Sequence, residues 1–370
     1  MRYWAALDGL RAVAVIAVVL FHAYPPLLRG GFLGVDIFFV LSGFLITGQL
    51  LREVQHHGGV HWRNFFKRRL IRLQPALLLL LLAYSFAWVA GWIPTSLRTT
   101  AQDILTVLFA WAHWARAFEW HAPDYLGHAW SLGIEEQFYL IWAAALAVLG
   151  RKLVAPWRLA LLAAAGALAS SLWMQWLQES GAPPTRLYNG LDTRAMGLLW
   201  GCALAGCLHT ACPFLLEPTP PAHTSQSESR VAQVVVGAAS TSACVSLTML
   251  LVAMMTVEWR HPDMFRWGYT GAAILTSVLV GALVIAPSGI CSRVLGCSAL
   301  VNVGKISYGL YLWHYPVIRI LEAHAPALGL GHTAAMAVAL FVSAVAATGS
   351  YLWLEQPLKR SILRQSNLRR

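Results

Sequence analysis

Charge is what this chain has least of. Only 12% of its 370 residues are Asp, Glu, Lys or Arg, about half the ~25% usual in a soluble domain. With 58% hydrophobic residues and a mean hydropathy of +0.59, that scarcity excludes a water-soluble globular fold and a disordered chain alike. Acid is the scarcer sign, with 16 Asp and Glu against 27 Lys and Arg. The resulting +11 is no nucleic-acid footprint, because the basic residues cluster in loops between apolar runs, the positive-inside pattern of membrane proteins. The six cysteines (202, 207, 212, 244, 291 and 297) make no CxxC pair. They read as small packing residues, so no metal site and no disulfide framework is expected. No repeat of fixed period and no inverted half-to-half similarity is visible. The apolar start has no small-residue cleavage site before Pro25-Pro26 and reads as mature structure rather than a signal peptide.

What the chain does have is a series of apolar runs. Membrane spans are expected at about 10–25, 32–51, 70–93, 130–149, 158–178, 193–209, 232–257, 268–287, 306–323 and 332–354. The segment 98–118 is moderately apolar but carries Arg98, Asp103, His113 and Arg116. Counting it as a span puts the basic tail, with Lys359, Arg360, Arg364, Arg369 and Arg370, on the outer side. A re-entrant or interfacial helix there returns that tail, and the loop with Arg151, Lys152 and Arg158, to the cytoplasm. The expected fold is therefore all-α, a polytopic integral membrane helix bundle of about ten transmembrane helices plus one re-entrant or interfacial helix. Both termini are expected to be cytoplasmic, with a membrane domain at 1–356 and a basic cytoplasmic tail at 357–370. The loop at 212–231, with four prolines, reads as a polar linker.

Ionisable residues inside apolar runs are costly and point to function. Arg11 and His22 share the first run with no charge between them. Eleven steps of about 100° bring them to one helix face, ~16 Å apart along the axis. The plainer alternative is a snorkelling arginine and a packed histidine. In the run Lys67-Arg68-Arg69-Leu70-Ile71-Arg72, Arg69 and Arg72 are three apart and can grip a phosphate together. Lys67 and Arg68 read as ordinary flanking charge, and Arg72 is expected to be buried. Glu135 and Glu136 follow His128-Ala129-Trp130-Ser131 one turn into a span, where carboxylates need a partner, a proton or water. Tyr308, Tyr311 and Tyr315 form one stripe beside His314, either packing or a row of hydroxyls. Asp36 is a weaker candidate. Asp192 and Arg194 read most simply as a mutual ion pair, and Gly34, Gly43 and Gly48 as sites of close helix packing. On the expected topology Arg11, Arg69 and Arg72 face the cytoplasm, while His22, Asp36, Glu135 and Glu136 lie in the outer half. A carrier with phosphates at one end and a long arm ending in a reactive group, such as coenzyme A, has the matching shape.

The motifs that carry these residues are Leu7-Asp8-Gly9-Leu10-Arg11 with His22 ten residues beyond, Gly34-Val35-Asp36-Ile37-Phe38-Phe39-Val40-Leu41-Ser42-Gly43-Phe44, and Arg69-x-x-Arg72. To them are added His128-x-Trp130-Ser131-Leu132 through Glu135-Glu136-Gln137-Phe138-Tyr139, and Ser307-Tyr308 through His314-x-Pro316. In order and spacing they resemble the membrane acyltransferase family 3, bacterial proteins that O-acylate cell-surface sugars. The resemblance implies acetyl-CoA or another acyl-CoA as donor, with acetyl the expected group. It implies His22 as the catalytic residue and Arg11, Arg69 and Arg72 as donor-handling residues. Glu135, Glu136 and Asp36 are the expected helpers of the histidine, and Trp130, Tyr308 and His314 the expected substrate contacts. A carbohydrate or lipid-linked sugar is the expected acceptor, in a protein of the bacterial inner membrane surrounded by lipid. Some members fuse a periplasmic hydrolase-like domain after the last span. This chain stops at Arg370, so it is expected to work alone or with a separate periplasmic partner. Two rival readings remain at this point. One is a secondary transporter with an intramembrane His/Arg/Glu proton relay; the other is a flippase or scaffold without chemistry.

Overall fold

Each expected span forms a helix. A computed structural model describes residues 3–153, 155–213 and 228–358, and among them there is no strand. The tail from residue 359 and the loop residues 214–227 lie outside the described residues. The long helices are α1 (Ala5–Ala23), α2 (Leu33–His57) and α3 (Trp62–Val89), followed by the shorter α4 (Leu97–Leu108) and α5 (Ala112–Ala117). A single 3₁₀ turn at Gly127–Ala129 leads into α6 (Trp130–Leu153), then α7 (Pro156–Glu179), α8 (Pro184–Asn189) and α9 (Leu191–Ala211). The chain continues with α10 (Glu228–Thr256), a π turn at Met264–Gly268 that opens α11 (Tyr269–Ile285), α12 (Ile290–Leu295) and α13 (Ser298–Lys305). It ends in α14 (Ser307–His324) and α15 (His332–Ser350), the latter prolonged by a second π turn, Tyr351–Glu355.

Among the described residues, seven helices are long and apolar enough to cross a membrane: α1, α2, α3, α7, α10, α11 with its π turn, and α15 with its extension. This is a multi-pass membrane protein. The other three runs, in α6, α9 and α14, are helical but more polar, carrying Glu135 and Glu136, Asp192 and Arg194, and Arg319 and Glu322. The segment 98–118 does not form one long helix. Its longer piece has 12 residues, ~18 Å of rise against the ~30 Å of a bilayer core. Ala110, at φ 57°, lies in the break between α4 and α5. Asp103, costly in such a setting, accepts hydrogen bonds from the Tyr84 hydroxyl and His121 Nε2, both at 2.5 Å.

By its internal packing the chain divides into two compact units. The first comprises Met1–Phe21, Pro26–Val60 and Ile134–Lys305. Association of helices in lipid relies on close packing, because apolar surface has nothing to gain by leaving a hydrocarbon solvent. Glycine makes that possible where α2 meets α9: a Cβ on Gly43 would lie 1.9 Å from the Leu198 carbonyl oxygen, and one on Gly201 would lie 2.1 Å from that of Val40. The Gly34 expectation is met in the same way against Ala14 of α1. Beside this contact Arg194, fully buried, donates to Asp36 Oδ1 at 2.8 Å and lies 4.0 Å from the Tyr269 ring centroid. This corrects the expected Asp192–Arg194 pair: Asp192 is bound instead by Arg186, at 2.9 and 2.5 Å. Residues two apart on a helix point to different sides, so the neighbouring acid could not follow Arg194 inward.

The second unit comprises His22–Pro25, His61–Gly133 and Ile306–Arg370. Two apolar clusters hold it, one built on Leu77, Leu80, Tyr84, Leu126 and Leu312 and the other on Ala23, Ile318 and Met336. Helix α3 begins at Trp62, earlier than expected, so the whole basic run is helical. Within it Arg69 is half-buried and Arg72 is exposed, which corrects the expectation that Arg72 is buried.

Candidate functional site

The second unit gathers three histidines from three distant stretches. His22 is the penultimate residue of α1, which stops at Ala23 because Pro25 disfavours helical backbone at the residue before it. His128 lies in the 3₁₀ turn that opens α6. His314 projects from α14 together with Tyr311 and Tyr315, positions three and four apart or adjacent on one face.

The contacts are specific. His22 Nδ1 lies 3.3 Å from His314 Nε2, and the two rings are 5.1 Å apart between centroids. The Tyr315 ring meets His22 edge-on at 4.9 Å. His128 lies 5.4 Å from His314, 5.2 Å from Tyr315 and 5.5 Å from Tyr311. Its turn is clamped by its own carbonyl, which accepts from the Tyr311 hydroxyl at 2.9 Å; that hydroxyl also bonds Ser131 Oγ at 2.5 Å. Gly127 closes the turn on two further groups: a Cβ there would lie 2.9 Å from Arg116 Nη1 and 3.2 Å from the Tyr315 hydroxyl. A cation and a phenol therefore border the cluster.

The network assigns ring protons. His314 Nδ1 faces the Leu310 carbonyl at 3.1 Å, and a carbonyl only accepts, so Nδ1 carries the proton. Neutral His314 then presents a lone pair at Nε2, and the hydrogen bond to His22 is donated by His22 Nδ1. The neutral His22 ring so held keeps its lone pair on Nε2, the nitrogen that acts as base or nucleophile in imidazole chemistry. His128 is 3% exposed. Burial first, and then repulsion from His22 whenever that ring is protonated, hold its imidazole down to about 3, against an upward pull from the Leu312 carbonyl and with a smaller downward push from Arg116. That carbonyl lacks its helical donor because Pro316, four residues on, has no N–H.

Other expected site residues are placed elsewhere. Arg11 pairs with Asp8 on its own helix at 3.3 Å. In the first unit Glu135 accepts from the Ser42 hydroxyl at 3.0 Å and the Tyr139 hydroxyl at 2.8 Å; Glu136 is half-buried. Asp36 is the buried partner of Arg194. In the second unit Trp130 is buried and the Tyr308 hydroxyl donates to the Leu73 carbonyl at 2.9 Å. Of the residues expected at a site, the structure brings together His22 and His314. Sequence reasoning missed His128 and Arg116 as members of this cluster, although His128 stood in a quoted motif. Among the described residues no group of three His, Cys, Asp or Glu side chains converges as metal ligands would.

Comparison with known proteins agrees with the motifs. A family model described as an acyltransferase domain matches residues 4–353. The chain is 34% identical over 365 residues to the putative peptidoglycan O-acetyltransferase YrhL of Bacillus subtilis, covering 97% of this chain and 55% of the relative. It is 34% identical over 370 residues to the peptidoglycan O-acetyltransferase OatA of Listeria monocytogenes, covering 97% and 56%. A putative O-acetyltransferase of Staphylococcus aureus is 33% identical over 333 residues, covering 88% and 52%. The chain thus spans about half the length of the curated relatives it matches. No solved structure matches it.

Proposed function

This chain belongs to the acyltransferase family whose domain it matches from residue 4 to 353, and on that premise we propose that it moves an acetyl group from acetyl-CoA to a hydroxyl of a cell-surface carbohydrate. Relatives named as peptidoglycan O-acetyltransferases support a peptidoglycan sugar as the acceptor. The reading places the protein in a bacterial inner membrane, with ten spans, cytoplasmic termini and the donor arriving from the cytoplasm. Arg11, Arg69 and Arg72 handle the phosphates of the donor in this proposal, which the exposure of Arg72 favours over a buried structural role for that residue. Asp36 and Glu135, already engaged by Arg194 and by two hydroxyls, serve the helix packing of the first unit.

The observation that carries the mechanism is the hydrogen bond between His22 Nδ1 and His314 Nε2. It fixes the ring plane and leaves Nε2 as the reacting nitrogen. Two routes use that nitrogen. It takes the proton of the acceptor hydroxyl as the alkoxide attacks the thioester, or it attacks the thioester itself and holds the acetyl group as an acyl-imidazole until the acceptor arrives. In both, the C–S bond breaks and coenzyme A leaves as the thiol after taking up one proton.

The test is release of free thiol by the purified full chain given acetyl-CoA and muropeptide fragments. Wild type consumes the thioester and acetylates the fragments, and His22→Ala does neither while remaining folded in the membrane. Near-normal transfer by that variant would end this account. Intact-mass analysis with acetyl-CoA alone separates the routes, since only the second leaves an acetylated protein.

A further inference from the structure

The histidine cluster holds a group that the mechanism above does not use. His128 is 3% exposed, and neither of its ring nitrogens closes a hydrogen bond of ordinary geometry, the Leu312 carbonyl beside it only drawing its ionisation upward. Burying an unsatisfied polar group of this kind costs ~1–3 kcal/mol, and a core position would be served better by an apolar ring of the same size. The imidazole is nevertheless boxed in by Tyr311, His314 and Tyr315 at 5.2–5.5 Å, its turn is pinned through its own carbonyl, and a Cβ on Gly127 before it would crowd Arg116 Nη1 at 2.9 Å. The ring is therefore held in one place, beside His22, with its hydrogen-bonding capacity kept open.

We propose that His128 is a second catalytic residue, a neutral imidazole whose N–H holds the carbonyl oxygen of the acyl donor as negative charge develops on it. The proposal rests on the acyl-transfer reading. As His22 Nε2 withdraws the acceptor proton, the acceptor oxygen bonds to the acyl carbon and the π pair of the C=O moves to oxygen, where the His128 N–H binds it. On collapse the pair returns, the C–S bond breaks, and the thiolate takes the proton from His22. In the acyl-imidazole route the bond to carbon is formed by His22 Nε2, and the oxyanion is the same. His128 gives up no proton in either route, and its resistance to protonation suits a donor that must stay neutral, as neutral imidazoles do in other oxyanion sites. Arg116, bordering the same turn, adds positive potential.

The test compares wild type with His128→Phe, His128→Gln and His128→Asn in the full chain, using acetyl-CoA and muropeptide fragments as probes. Folding is checked by size-exclusion profile and thermal unfolding. Removing one oxyanion donor costs about 10²–10³ in kcat. His128→Phe is expected to show that loss with the KM for acetyl-CoA within a few-fold of wild type. One of the amide variants, which place an N–H at the Nε2 or Nδ1 position, is expected to recover at least tenfold over Phe. A Phe variant as active as wild type, a loss confined to KM, or amide variants that fold yet are no better than Phe would each overturn the assignment. If the Phe variant does not fold, the amides are compared with wild type, and a loss beyond 10³ in both with folding intact overturns it equally. Inactivity of the wild type toward acetyl-CoA would instead remove the transferase reading itself.

Discussion

His22 Nδ1 lies 3.3 Å from His314 Nε2, across 292 positions of chain. The orienting partner of a reactive histidine is commonly a carboxylate or a backbone carbonyl. In the function proposed for His22 a second imidazole serves, and it is itself locked by the Leu310 carbonyl one helical turn back. The relay passes a fixed tautomer from backbone to His314 to His22 with no ionised group in the chain of bonds.

The first expectation concerns that relay. His314→Phe removes the acceptor at Nε2 and lets the His22 ring turn, whereas His314→Gln can still offer its amide oxygen. Loss of an orienting partner of this kind costs on the order of 10- to 100-fold in activity. His314→Phe should therefore lower kcat by that much with little change in KM, and His314→Gln should recover part of it. The pH profile of kcat/KM provides the second readout, because only a partner of the reacting imidazole shifts the apparent ionisation of the base. An unchanged profile with equal losses in both variants would reduce His314 to packing.

The buried Asp36–Arg194 pair gives a stability expectation. Both side chains are at most 2% exposed, and removing one member of such a pair costs ~3–5 kcal/mol because the other charge stays buried. Arg194→Met should lower the thermal midpoint of the solubilised protein sharply. Asp36→Asn combined with Arg194→Met should lose much less than the sum of the two single changes, since no lone charge remains. Additive losses would mean that the two residues act independently.

Much of this was legible in the sequence, and the reasons differ by residue. Apolar runs announced the long helices because burial in lipid demands them, and the sidedness of the basic tail and loop marked segment 98–118 as a re-entrant or interfacial helix and not a span. Arg11 and His22 were found because no other charge shares their run. What escaped was partnership across the chain. Arg194 was assigned to the acid two residues away, when its partner is 158 positions away; proximity in sequence says nothing of which side of a helix a residue faces. Asp103 was noted only as one charge of segment 98–118, and its partners Tyr84 and His121 lie outside that segment. His128 stood in a quoted motif without a role, and only the packed turn shows that its ring is enclosed by Tyr311, His314 and Tyr315.

The glycines of α2 give a sharper test of the packing. Gly43→Ala would drive a methyl group to 1.9 Å from the Leu198 carbonyl oxygen, a backbone atom that cannot rotate away, so α2 and α9 must separate. Overpacking of this kind costs ~1–3 kcal/mol. Gly237→Ala on α10, where nothing lies within 4 Å, should be neutral or stabilising by up to ~1 kcal/mol through helix propensity. Thermal unfolding of the two variants side by side checks the contrast; equal effects would deny the close approach of α2 and α9.

His128 also sets a pH dependence of stability. In the folded protein burial, His22 and Arg116 hold its imidazole down to about 3, from 6.5 in an unfolded chain. His314, Tyr311 and Tyr315 are the other groups facing it. Between those two values the unfolded chain binds one proton that the folded one refuses. Stability is thus fully present above about pH 6.5 and declines as the pH falls toward 3, by at most ~1.4 kcal/mol per pH unit from this group. The thermal midpoint of the wild type should hold steady from pH 8 to 7 and fall through pH 6 and 5. His128→Gln, with no ionisation at that position, should fall less steeply over the same interval and converge with its own plateau above pH 7. Parallel curves for the two proteins would show that the ring at position 128 is protonated as readily in the folded state as outside it, and that it is not enclosed as described.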